Sequence, residues 1–138
     1  MLRQAMFESF AGFDDFLVYL GVSLAYLALF VALYIRVTPY REMQLIREGN
    51  MAASFSLSGA ILGFIVPLAS AITHSVSLID MAIWGLIAMA VQIAAFVVVK
   101  ICIPSITRDI PENKGAQGFF LGSLSLGVGL LNAACMSF

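Results

Sequence analysis

The chain has 138 residues, 62% of them hydrophobic and only 11% charged, whereas a soluble domain carries about 25% charged residues. The net charge is −1 and the Lys and Arg residues form no basic face, so nucleic acid is not an expected partner. This composition excludes an ordinary soluble domain and indicates a single integral membrane domain over residues 1–138.

Four apolar windows contain no Asp, Glu, Lys or Arg, and each holds roughly the 20 residues needed to cross about 30 Å of hydrocarbon. They are Phe16–Ile35, Met51–Thr73, Met81–Val99 and Gly115–Phe138. We therefore expect an all-α membrane protein with four transmembrane helices, named spans one to four, in a lipid bilayer. Ahead of span one, Met6, Phe7, Phe10 and Phe13 recur mostly at spacings of three or four, which predicts a short interfacial helix.

The connections between the spans carry the charge. Residues 36–50 and 100–114 hold six of the seven Lys and Arg residues, and only Arg3 lies on the other side of the membrane. The positive-inside rule therefore predicts that both longer connections are cytoplasmic and that both termini lie outside.

An internal repeat is predicted from matching residues in the two halves of the chain, about 14–73 and about 79–137. At an offset of 64 the matches include Glu48 with Glu112, Phe55 with Phe119 and Gly63 with Gly127, and at 65 they include Asp15 with Asp80 and Pro39 with Pro104. Because each half holds two spans, both halves cross the membrane in the same direction. We expect a parallel duplication of a two-helix hairpin.

Spans two and four are rich in small residues, which let helices approach closely in lipid. In span two, Ala52, Ser56, Gly59, Gly63, Pro67 and Ser70 share one face, as do Gly115, Gly118, Gly122, Ser125, Gly129 and Ala133 in span four. Span four has a second small face, formed by Ala116, Ser123, Gly127 and Ala134. These patterns predict that spans two and four lie inside and that spans one and three face lipid.

Pro67 cannot donate a hydrogen bond to the carbonyl of Gly63, so span two should kink there and that carbonyl needs another partner. The proline is interpreted either as a packing kink or as a hinge with a lining carbonyl. Gln92 lies in the middle of span three, where its amide is expected to bond a neighbouring helix or to line a permeation path. Asn50 is predicted to cap span two, and Asn132 to make an interhelical contact or serve a pore.

The sequence does not indicate catalytic activity. No Asp, Glu, Lys, Arg or His lies at membrane depth, which argues against a proton-coupled transporter. The sequence shows no nucleophile–base pair, no metal-ligand spacing and no phosphate-binding loop, so we expect no enzyme activity, no cofactor and no metal site.

The run from Glu48 to Ala53, the later Leu57-Ser58-Gly59, and Asp80, Trp84 and Gln92 resemble the YjfL-like bacterial inner-membrane proteins, as does the terminal stretch 132–136. That family is catalogued as domain of unknown function 350. The resemblance implies a protein of the bacterial cytoplasmic membrane, often built as a duplicated helical hairpin. It implies no activity and no catalytic residues.

Two functions are weighed. The first is a small self-associating membrane protein, a dimer or larger, that forms a pore or a solute or ion pathway linked to envelope stress. The second is a membrane scaffold without transport, which docks a peripheral protein or anionic lipid through Arg41, Arg47 and Arg108. The candidate packing or pathway residues are Asn50, Ser56, Gly59, Gly63, Pro67, Gln92, Gly118, Gly122 and Asn132.

Overall fold

The computed structural model describes residues 1–136, which form helices and turns and contain no strand. The helices are α1 (Leu2–Ala11), α2 (Phe13–Val37), α3 (Glu42–Arg47), α4 (Met51–His74), α5 (Leu78–Cys102), α6 (Ile106–Asp109) and α7 (Gly115–Cys135). Four helical segments are long and apolar enough to cross a membrane, namely Leu2–Val37, Met51–His74, Leu78–Cys102 and Gly115–Cys135. The prediction of an all-α protein with four spans is confirmed.

The helix expected before span one is α1, and a break at Gly12 separates it from α2. All residues of α1 are exposed. Its position at the membrane surface stays a prediction. The last two residues of the fourth window, 137 and 138, lie outside the described residues.

Two short helices in the longer connections were not predicted. Helix α3 places Leu45 and Ile46 against the core of the bundle, which gives this connection an apolar anchor. Helix α6 follows Pro104 and buries Ile106 completely. Both connections are therefore folded parts of the protein rather than open loops, and we name the end of the bundle that they form the α3–α6 end.

The helix bounds recur at the offsets predicted from the sequence. Helices α2 and α5 each have 25 residues, and their starts and ends are 65 residues apart. Helices α3 and α6, and likewise α4 and α7, start 64 residues apart. Among the described residues, left-handed φ angles occur at Gly49 (φ 85°) and Asn113 (φ 58°), again 64 residues apart. The duplication itself stays a prediction, and these repeated bounds support it.

Helix α4 is the central helix, and its closest contact is with α7. Half of the spanning window of α4 is buried, compared with 33% for α5, 28% for α7 and 6% for the first span. The prediction that span four is more enclosed than span three is therefore wrong. Helix α7 buries one small-residue face against α4, whereas Gly127 on its second small face has no neighbour that an added Cβ would meet.

Aromatic rings join α2 to this core. Phe30 stacks on Phe64 of α4 with ring centroids 4.6 Å apart, and Tyr34 meets Phe96 of α5 at 5.4 Å. Both α2 residues lie in the second half of that helix, and no earlier α2 residue is buried. The fully buried contacts of helix α2 thus lie at the α3–α6 end, and near the middle of the helix Tyr26 donates a hydrogen bond to the carbonyl oxygen of Ala82 at 2.9 Å.

Candidate functional site

The small-residue face of α4 closes on α7. A Cβ atom added to Gly59 would collide with the backbone of Gly122, and one added to Gly118 would collide with the backbone of Ala52. The same holds for Gly129 against Gly63. Backbone contact of this kind is possible only between small residues. Within one protomer, the face that carries most of the predicted candidates is therefore a packing surface rather than a water-filled groove.

A polar site lies at the middle of this interface, and we name Gly63, Pro67, Gln92 and Ser125 the central polar site. Gln92 Nε2 of α5 donates to the carbonyl oxygens of Gly63 at 2.6 Å and Ser125 at 3.0 Å. Because Pro67 has no N–H to offer, the Gly63 carbonyl has lost its helical partner, and Gln92 replaces it. Gln92 is 1% exposed, and its Oε1 atom has no hydrogen-bond partner.

Asn50 caps α4 as predicted, since its Oδ1 accepts from the N–H of Ala53 at 2.8 Å. Its Nδ2 also donates to the carbonyl oxygens of Ile110, at 3.0 Å, and Pro111, at 3.2 Å. Asn113 completes the link, because its Oδ1 accepts from the N–H of Ala52 at 3.1 Å. The start of α4 is thus tied to the second connection, a link that the sequence did not indicate.

An unpaired carboxylate is buried at the α3–α6 end. Glu42, the first residue of α3, is 0% exposed and lies near Tyr34, Tyr40 and Ser56, with which it forms what we name the buried carboxyl site. Both Glu42 carboxylate oxygens, both phenol oxygens and the Ser56 hydroxyl are buried and make no hydrogen bond of good geometry, although the Ser56 hydroxyl lies beside both phenols and the Thr38 hydroxyl lies beside Glu42. Five unpaired buried oxygens in one place are unusual, because buried polar groups are nearly always bonded.

The electrostatics follow from this burial. Burial raises the pKa of Glu42 from its ordinary 4.5 to about 7, while the nearby hydroxyl of Thr38 acts in the opposite direction. Burial and the proximity of Glu42 both raise the pKa of Tyr40. Across residues 1–136 the ion pairs are those of Lys114, with Asp109 at 3.2 Å and Glu112 at 3.6 Å, so Glu42 has no cationic partner.

An open cleft of about 380 Å³ adjoins this site. Its lining includes Thr38, Tyr40 and Glu42 as well as the exposed Arg41 and Arg47. The cleft connects the surroundings of the buried carboxyl with the exterior of the bundle.

Sequence reasoning missed Glu42 because it used only the Lys and Arg residues of the first connection, for orientation and docking, and gave Glu42 no role. A usable signal was present, since Glu42, Leu45 and Ile46 have the i, i+3, i+4 spacing of one helix face. That spacing places a carboxylate on the apolar side of a short helix.

The opposite end of α4 carries a third polar site, formed by Ser70, Asn132 and Ala133. Ser70 Oγ donates to the carbonyl oxygen of Ala133 at 3.4 Å. The side-chain nitrogen of the neighbouring Asn132 is buried without a hydrogen-bond partner, and its interhelical contact or pore role stays a prediction. We name this group the Ser70 polar site.

The three sites are evenly spaced along α4. Ser56, Gly63 and Ser70 follow one another at intervals of seven residues, which is about 10 Å along a helix and returns close to the same side. Each site also contains a buried polar atom that lacks a partner. A line of polar sites therefore follows one side of the central helix over most of its length.

No metal or cofactor chemistry is assigned to these sites. In the described part of the chain, no three His, Cys, Asp or Glu side chains come together in a way that could hold a metal ion. The two cysteines, Cys102 and Cys135, are free and exposed.

Comparison with known proteins identifies relatives of this chain. The inner membrane protein YjfL of Escherichia coli strain K12 is 38% identical over 122 residues, which cover 88% of this chain and 92% of the relative. The transmembrane protein YshE of Bacillus subtilis strain 168 is 27% identical over 118 residues, covering 84% and 88% of the two chains. No solved structure matches the chain. The model of the family described as Domain of Unknown Function (DUF350) matches residues 6–136, and the chain belongs to that family of membrane proteins.

Proposed function

We propose that this protein is a self-associating protein of the bacterial inner membrane that provides a pathway for an ion or a small solute along the face of α4 that packs on α7, and that this closed contact separates when the ion or solute passes. The observation that carries the proposal is the line of three polar sites at intervals of about 10 Å. Each of these sites contains a buried polar atom without a partner. An unsatisfied polar group in the membrane interior costs about 1–3 kcal/mol, so a passing ion or water molecule that supplies the missing bond is stabilised there.

Self-association follows from the surface of α7. Its second small face includes Ser123 and Ala134, which are exposed, and Gly127, whose Cα side is open. Small residues that contact nothing within one protomer allow close approach of a helix from a second copy. The positive-inside rule orients the assembly with the α3–α6 end in the cytoplasm.

The test is a flux measurement with purified protein in liposomes, following proton and potassium leak with entrapped dyes. Gln92→Leu should reduce the leak at least about tenfold, because removing a stabilising contact of about 1.4 kcal/mol raises the barrier by that factor. Ser58→Ala is the matched control, since Ser58 is exposed on the other side of α4. Absence of any leak above protein-free liposomes, at every potential and pH, would overturn the pathway.

A membrane scaffold is the second candidate. The observation that favours it is that Arg41, Arg47 and Arg108 are exposed and form no ion pair in residues 1–136. Unpaired arginines at a membrane surface attract anionic headgroups or an acidic partner.

Crosslinking in native membranes tests this candidate. The double variant Arg41→Glu with Arg47→Glu should lose its crosslinked partners, while Arg3→Glu, at the start of α1, should keep them. Partners that are unchanged in the double variant would count against docking through these arginines.

A further inference from the structure

The pathway uses Ser56 of the buried carboxyl site but leaves the carboxyl group of Glu42 unexplained. Of the seven buried side-chain polar atoms without a partner in the described residues, five belong to Tyr34, Tyr40, Glu42 and Ser56. Tyr34 and Ser56 are 1% and 0% exposed, so neither can turn to solvent without movement of a helix. The buried carboxyl site is therefore part of the packed core.

The lack of a cationic partner limits the protonation state that Glu42 can have in this position. An ionised carboxylate buried without a cationic partner is costly, and such groups commonly take up a proton instead. Arg41 and Arg47 line the adjoining cleft but make no ion pair with Glu42. The titratable groups that face the carboxyl are the phenols of Tyr34 from α2 and Tyr40 from the linker, and α4 contributes only the neutral hydroxyl of Ser56.

We propose that Glu42 is a proton-binding site, and that its bound proton holds α3 against the end of α4. The proton enters through the cleft that Glu42 shares with Thr38 and Tyr40. The neutral carboxyl is compatible with the surrounding apolar rings and hydroxyls, whereas the ionised carboxylate is not. Its rise in pKa to about 7, caused by burial, places this exchange within the physiological range.

Release of the proton has a structural consequence. Helix α3 has six residues, and its contact with the core consists of Glu42 and the half-buried Leu45 and Ile46. A carboxylate that must reach water can do so by detaching this short helix. Because Ser56 lies beside Tyr34 and Tyr40, the two phenols that face Glu42, detachment of α3 opens the surroundings of the first polar site on α4. Under the proposed function, on which this step rests, α3 is a proton-controlled cover over one end of the pathway.

The experiment measures the accessibility of α3 in nanodiscs as a function of pH. Ile46→Cys is introduced into a background in which the exposed Cys102 and Cys135 are replaced by serine. Labelling by a thiol reagent is followed with Glu42 and with Glu42→Gln, which is uncharged at every pH. Ile110→Cys, at the matching position of the second connection, is the control.

Between about pH 5.5 and about pH 8.5 we expect labelling of Ile46→Cys to rise more with Glu42 than with Glu42→Gln. The ratio of the two rises can reach about thirtyfold, which is the limit for one proton with a pKa near 7. Labelling of Ile110→Cys should be the same in both backgrounds. An infrared carboxyl band that is present at low pH, lost at high pH and absent in Glu42→Gln identifies the titrating group directly.

Three outcomes would overturn the proposal. The first is an equal rise in labelling with Glu42→Gln, and the second is a carboxyl band that does not change over the whole pH interval. The third is protection of Ile46→Cys at high pH when sodium replaces choline, which would make an alkali cation the occupant. If the labelling of α3 depends on pH but the protein shows no leak in liposomes, the proton site is supported and the pathway is refuted. The two proposals can therefore fail separately.

Discussion

The two halves of the chain have nearly the same helix bounds but differ in what they bury. At the offset of 64, Glu42 of α3 corresponds to Ile106 of α6, and both are 0% exposed. One half therefore buries a carboxyl without a partner where the other buries an aliphatic side chain. The buried acidic residue of the second connection, Asp109, is instead paired with Lys114.

The two halves also differ at corresponding positions of the membrane-spanning helices. Pro67 of α4 corresponds to Leu131 of α7, and Gln92 of α5 corresponds to Leu27 of α2 at the offset of 65. The proline removes a hydrogen bond in the first half, and the glutamine of the second half replaces it. The two halves are complementary at this point, because the hydrogen bond that Pro67 removes in one half is replaced by Gln92 of the other, whereas Glu42 has no such partner.

Glycine substitution should show the largest difference between the halves. Gly63→Leu places a side chain against the backbone of Ser125 and against Gln92, so we expect a loss of more than about 4 kcal/mol in unfolding free energy or failure to fold. At the matching position, a Cβ added to Gly127 meets nothing within 4 Å, so Gly127→Leu should change the unfolding free energy of the single protomer by less than about 0.5 kcal/mol. Denaturant titration in micelles measures both, and equal losses would show that the halves are packed alike.

Glu42, which has no acidic counterpart in the other half, should make the stability of the protein depend on pH. Because the pKa of Glu42 is raised from 4.5 to about 7, its stabilising contribution is fully present below about pH 4.5 and is lost as the pH rises through about 7. Glu42→Gln should therefore be more stable than the parent above pH 8 by up to about 3 kcal/mol, and equally stable near pH 4. Thermal unfolding at a series of pH values tests this. A parent protein whose stability does not fall over that interval would refute it.

The central polar site should show coupling between the halves. Gln92→Leu leaves the carbonyl of Gly63 without a partner, so we expect a loss of about 1–3 kcal/mol. Pro67→Ala restores the backbone N–H, and in that background Gln92→Leu should cost about 1 kcal/mol less. A double-mutant cycle on unfolding free energies measures the coupling. Strictly additive losses would mean that Gln92 does not replace the bond that Pro67 removes.

The ion pair of the second connection should show the smallest effect. Lys114 is 55% exposed at its side chain, and its bond to Asp109 raises the pKa of the amine. Lys114→Met should lower the unfolding free energy less than the other destabilising substitutions, and high salt should reduce that difference, because solvent and salt screen exposed charges. Unfolding measured at low and high ionic strength checks this. A larger loss of unfolding free energy that salt does not change would contradict this, because it would show that the pair stabilises the fold as a buried interaction does.

Much of the fold could be predicted, because its determinants are local. Window length and the absence of charge identified the four spans, and the small residues of α4 and α7 indicated a close contact that Gly59 and Gly122 make. The need of the Gly63 carbonyl for a partner followed from Pro67 alone. The identity of that partner did not, since Gln92 lies 29 residues away in the chain and only packing brings it there.

The sequence by itself therefore determined the number and order of the spans, the helix cap at Asn50 and the surfaces able to approach closely, since each depends on residues within a few turns of one another. Only the tertiary structure decided that α4 rather than α7 is the central helix, and that α3 folds back to bury Glu42. The reason is that burial is a property of neighbours from several elements. The same glutamate is an ordinary surface charge in an open loop and an unpaired carboxyl beneath two phenols in the folded bundle.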